Sequence, residues 1–159
     1  MGCTTGMLNP WTKEEVDIQL EQLIPLLPQA ELMGGGIIKL RGSSGFFNPN
    51  SLLDPNWLKD KITPEEYRDA IDYINRRTGY TYIGLSKTVL LSDVRLREQL
   101  RTQAGMAAVE DLNKRYTSIK FTYQPTAETV VMNILPSLGH SRLIVGNRYT
   151  VTYLYIAFL

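Results

Sequence analysis

Two residues at the start of the chain, Gly2 and Cys3, have the types and spacing that most readily invite covalent chemistry. Removal of Met1 would expose Gly2, the acceptor in N-myristoylation, and Cys3 beside it would take a thioester-linked palmitoyl group. One myristoyl chain holds a membrane only marginally, whereas two acyl chains anchor stably, so the pair is physically coherent. The pattern asks for Ser or Thr at position 6, where Gly6 stands, with Thr5 one place early. The tail therefore reads either as a lipid handle or as an ordinary polar tail with an incidental cysteine.

Other chemistry is sparse. Nucleophilic catalysis needs a nucleophile, a base and a group that orients the base. The single histidine, His140, falls in a turn between two expected strands, and the single cysteine is in the tail. His140 reads as a solvent-facing turn residue. No carboxylates cluster at a metal-ligand spacing, so no metal and no cofactor are expected. Glu14-Glu15 and Glu65-Glu66 sit in first helical turns, where carboxylates stabilise the positive helix end. Gly34-Gly35-Gly36 precedes a strand, where a phosphate loop should follow one, and reads as a linker. Arg76-Arg77, Arg95, Arg97 and Arg101 read as solvated helix faces.

The elements that would position these residues come from a chain of 159 residues, 43% hydrophobic and 21% charged, which is enough for one stable core without staples. With 17 basic and 16 acidic residues the net charge is +1, which argues against a nucleic-acid binder held by bulk electrostatics and leaves a local basic patch open. No stretch approaches the ~20 apolar residues needed to span a bilayer, and no secretory signal is visible. Residues 1–9 read as a flexible tail. An amphipathic helix over 10–28 opens with the capping box Thr12-x-x-Glu15 and is interrupted at Pro25. Residues 29–36 form a Gly-rich linker, and 37–159 a single α+β domain.

Within that domain, Ile37 to Leu40 reads as a strand. A second helix starts at Thr63-Pro64 with Glu66 completing a capping box, Ile62 and Tyr67 forming a staple, and Tyr67, Ala70, Ile71 and Ile74 facing inward. Gly79 is its expected stop. Residues 80–91 are ambiguous. A third helix, capped by Ser92, runs to about Tyr116; its Gly105 either weakens it or permits close packing. The last third is β. Ile119, Phe121 and Tyr123 alternate with polar residues, Thr129 to Leu135 is apolar, Pro136 to Gly139 is a turn, and Gly146-Asn147 signals a two-residue hairpin. The sum is α+β: about three helices packed on an antiparallel sheet with a C-terminal β-meander. The apolar terminal strand, Val151 to Leu159, would leave an edge needing cover.

The stretch Ile37 to Asn75 resembles the accessory-subunit family of protein palmitoyltransferases, the group of the Ras-palmitoyltransferase partner, the small golgin-A relatives and the cysteine-rich hydrophobic-domain proteins. The resemblance is carried by Ile37-Ile38-Lys39-Leu40-Arg41 with its Ser-Gly turn, by Phe46, Phe47, Pro55 and Leu58, and by Glu65-Glu66-Tyr67 through Ile71 and Ile74-Asn75. Leu112-Asn113-Lys114-Arg115-Tyr116 and the closing Tyr153 to Leu159 are similar to the family's second long helix and terminal strand. The family's cysteine-rich apolar segment has no counterpart in Tyr80 to Leu91, and the first helix is an extra element.

The resemblance implies a non-catalytic subunit that binds and stabilises a membrane-bound S-acyltransferase of the Asp-His-His-Cys type. It also implies a location on the cytoplasmic face of endomembranes or the plasma membrane. Neither a nucleic acid nor a small-molecule substrate is expected. Phe46, Phe47, Trp57, Tyr67, Arg76 and Arg77 are the candidate partner-binding residues, aromatics and Arg being favoured at interface hot spots. The alternative is an N-terminally acylated peripheral-membrane adaptor with an unrelated protein partner.

Overall fold

The computed structural model describes residues 9–134 and 143–159. Gly2, Cys3, His140 and the expected turn at 136–139 lie outside the described residues.

Thr12 caps α1 (Lys13–Leu23), its hydroxyl accepting from the Glu15 amide at 3.2 Å. The helix ends where Pro25 enters a 3-10 turn, Ile24–Leu26. The Gly triad then closes a tight hairpin between β1 (Glu31–Leu32) and β2 (Ile38–Arg41), in place of the expected linker. Gly35 and Gly36 take positive φ, 82° and 78°, and Met33 donates to the Ile37 carbonyl at 2.7 Å. Only glycine enters that region without strain, and it does so here twice in succession.

α2 (Pro64–Tyr80) carries both halves of the capping box between Thr63 and Glu66. Gly79 does not stop it. It sits in the last turn, and a Cβ there would lie 2.9 Å from Val16, so this glycine lets α1 pack closely against α2. The ambiguous segment after Tyr80 resolves into turns and the short α3 (Lys87–Ser92). Asp93, rather than Ser92, caps α4 (Val94–Arg115), accepting from the Leu96 amide at 2.9 Å.

The β half departs most from expectation. β3 (Ile119–Ile134) and β4 (Leu143–Phe158) pair antiparallel over their whole length. Gly146 and Asn147 are strand residues opposite Val131 and Val130, so they make no hairpin. A turn there would leave the backbone of the 129–134 strand unpaired, whereas the continuous ladder satisfies it. The sheet order is β1-β2-β4-β3. The C-terminal strand is therefore interior, covered on one side by β2 through Ile38↔Ile156 and Leu40↔Leu154. β3 is an edge, where Pro125 is tolerated.

One face of this sheet carries the core. Ile38, Leu40, Ile119, Phe121, Tyr123, Leu154 and Ile156 pack with Tyr67, Ile71 and Ile74 of α2 and Ala108 and Leu112 of α4. Lys120, Thr122 and Gln124 alternate with them and are exposed. The result is α+β, with helices laid on an antiparallel sheet. Gly105 is a point of close packing: a Cβ there would fall 2.3 Å from the Tyr123 ring. In an open helix, Gly→Ala gains about 1 kcal/mol. Here overpacking outweighs that gain, and Gly105→Ala should destabilise by about 1–2 kcal/mol in urea unfolding; stabilisation would show that the ring moves aside freely.

Candidate functional site

The six residues expected at an interface separate into two sets. Phe47 and Tyr67 are fully buried, and Phe46 is nearly so. Phe47 meets the Tyr123 ring edge-on, with centroids 6.1 Å apart. Tyr67 exchanges a 2.9 Å hydrogen bond with Ser51, and burial pushes its phenol up to about 12. A partner cannot reach Phe47 or Tyr67. Their aromatic surface faces inward because their own positions in the chain supply the domain's core. Phe46 belongs to a smaller cluster with Val16, Leu20 and Leu27 that glues α1 to the domain.

Trp57, Arg76 and Arg77 remain accessible in part. Trp57 packs its ring against the edge of the main core. Arg77 bonds Asp111 of α4 at 2.9 Å. Arg76 bonds Asp72 at 2.7 Å and reaches Asp17 of α1 at 3.0 Å. Asp17 also accepts from the Tyr80 hydroxyl at 2.7 Å and from Lys13 at 3.2 Å. These bonds, led by that from Tyr80, hold the Asp17 carboxyl below its ordinary value of 3.8.

A carboxyl lowered by folding contributes stability that is present above its unfolded pKa and lost as pH falls through its folded one. The contact of α1 with α2 should therefore weaken in acid, below about pH 4. Trp11 packs with the α1 cluster and supplies a fluorescence signal. Asp17→Asn should remove part of the acid transition it reports; identical profiles for the variant and the native chain would exclude Asp17 as its source.

A cleft of about 480 Å³ opens between α1, α3, the first turns of α4 and the loop at Ser44. Its walls are apolar where Leu20, Leu23, Phe46 and Leu90 contribute, and charged where α4 contributes Arg97, Glu98 and Arg101. Lys87 at the rim pairs with Glu15, which keeps the Glu15 carboxyl below its ordinary value. Arg101 was expected on a solvated face, yet its side chain is only 12% exposed. Its stem crosses Gly45, at φ 84°, where a Cβ would fall 2.1 Å from Arg101 Cδ. The Nε atoms of both Arg97 and Arg101 are sealed from solvent and have no hydrogen-bond partner among the described residues. Tyr82 lies beside them: burial raises its phenol, and the charges of Arg101 and Arg97 oppose the rise.

Sequence reasoning missed this cleft. The available signal was position: Arg97 and Arg101 continue, at helical spacing, the inward stripe of Ala104, Ala108 and Leu112. Among the described residues, no group of three or more His, Cys, Asp or Glu stands close enough to hold a metal ion. Among them, too, no helix is long and apolar enough to cross a membrane. No family model, curated protein or solved structure matches the chain.

Proposed function

We propose that this chain is a non-catalytic subunit that binds and stabilises a membrane-bound protein S-acyltransferase, the bond-making cysteine belonging to the partner. The observation that carries the reading is spatial. The segments that resemble the accessory-subunit family are scattered from residue 37 to residue 159, and they meet as one packed unit. β2 pairs with the closing strand over Ile38–Arg41. Asn75 binds the Phe47 backbone. Leu58, Tyr67, Ile71, Ile74 and Leu112 enter the same buried cluster as Ile38 and Ile156. Motif positions that interlock in this way support a shared module better than isolated sequence likeness does.

The partner surface is the outward side of α2 and the turn before it, with Trp57, Arg76 and Arg77 as the accessible candidates. Acylation at Gly2 and Cys3 would hold the complex at the cytoplasmic face of an endomembrane or the plasma membrane. Affinity purification with mass spectrometry tests the reading. Recovery of an Asp-His-His-Cys-type acyltransferase, weakened by charge reversal at exposed Arg68 and Asp69 of α2, is the expected result. Repeated recovery of unrelated proteins would favour the acylated adaptor instead. Labelling with alkyne fatty acids, comparing the native chain with Gly2→Ala and Cys3→Ser, tests the membrane handle separately.

A further inference from the structure

The cleft between α1, α3 and α4 combines features that packing alone does not call for. Arg97 and Arg101 stand one turn apart on α4 and place like charges on one wall, an arrangement that helices disfavour. A buried guanidinium nitrogen without an acceptor is costly, and both Nε atoms are in that position. The nearest carboxylate contact of Arg101 is Glu98 at 3.8 Å, beyond hydrogen-bond distance. Lys87 is already matched by Glu15. The α4 wall thus sets two cations against one anion and is one negative charge short.

Apart from Gln19, Ser44 and Tyr82 the rest of the cleft is apolar, and its volume of about 480 Å³ lies within the ~300–1,000 Å³ usual for small-molecule sites. Leu91 and Val94 line it and remain 77% and 55% exposed, which gives an apolar tail a way in. We propose that this cleft binds a single-chain amphipathic monoanion, a long-chain fatty carboxylate, with its head against Arg97 and Arg101 and its tail along Leu20, Leu23, Phe46 and Leu90. One carboxylate supplies the negative charge that the α4 wall lacks. The chain supplies the apolar surface that the walls leave uncovered. The proposal rests on the cleft alone and is tested without any acyltransferase.

The experiment uses the full chain made in bacteria, titrated with myristate below its aggregation concentration and followed by calorimetry and Trp fluorescence, since Trp11 lines the cleft. Saturable binding of one myristate per chain is expected. Tetradecanol, which has the same tail and a neutral head, should bind at least tenfold more weakly. The double change Arg97→Gln with Arg101→Gln should lower myristate affinity at least tenfold and abolish the preference for the anion. Leu91→Glu, at an exposed position, keeps the test alive if the double variant does not fold, because a carboxylate at the mouth should weaken myristate severalfold.

Absence of saturable binding would overturn the proposal. So would myristate affinity unchanged in the folded double variant or, failing that, in Leu91→Glu. Tetradecanol binding as tightly as myristate would also overturn it, and would reassign the cleft to an acyl chain without a free head, such as one carried on Gly2.

Discussion

Asn75→Leu should lower the unfolding free energy by about 2–6 kcal/mol, a large share of the ~5–15 kcal/mol that holds a domain together. The asparagine is fully buried on α2. Its Oδ1 accepts from the Phe47 amide at 2.8 Å, and its Nδ2 donates to the Phe47 carbonyl at 2.7 Å. The side-chain amide thereby takes the place of a neighbouring strand for one residue of an irregular loop. Leucine matches the volume and removes both partners, leaving a buried N–H and a buried C=O unsatisfied at about 1–3 kcal/mol each. Asn113 makes the same pair of bonds to Phe121, at 2.9 and 2.7 Å, from a partly buried position. Water can replace what Asn113→Leu removes, so that change should cost less. Urea unfolding of both variants measures the difference. A loss below about 1 kcal/mol for Asn75→Leu would mean that the loop finds other partners.

Phe47→Ala should cost about 3–5 kcal/mol, the usual range for emptying a core aromatic site. For a chain of this size the melting temperature should fall by about 6–20 °C. The ring is wholly buried, meets Tyr123 edge-on, and packs where Gly42 leaves room, 3.1 Å from a Cβ built there. Its neighbours are held by the sheet on one side and by α2 and α4 on the other, so the void cannot collapse fully. The consequence for function is specific. Recovery of the proposed acyltransferase partner by Phe47→Ala should fall in step with the folded fraction and return on cooling. Lost recovery with an unchanged melting curve would make Phe47 a contact residue and contradict its burial.

Asn75, Phe47 and Arg101 lie where local rules stop and long-range packing takes over. Capping and periodicity were legible because their interactions close within three or four residues. Thr63 and Glu66 bond each other's backbone amides, and Tyr67, Ala70, Ile71 and Ile74 turn to one side whatever lies opposite. The alternation of Ile119, Phe121 and Tyr123 with polar neighbours fixed a half-buried strand in the same way. Those local rules were sufficient for the α+β class.

They could not settle Gly146-Asn147, where the turn preference of two residues lost to a 16-pair ladder with the preceding strand. Nor could they separate a buried aromatic from a displayed one, because Phe47 and Trp57 differ in what packs over them. Asn75 acts across 28 residues, and Arg101 is enclosed by elements from three parts of the chain. Side-chain periodicity reports which way a residue points along its own helix or strand. What it meets there depends on which distant segments fold against it, and in this protein those distant contacts made the cleft.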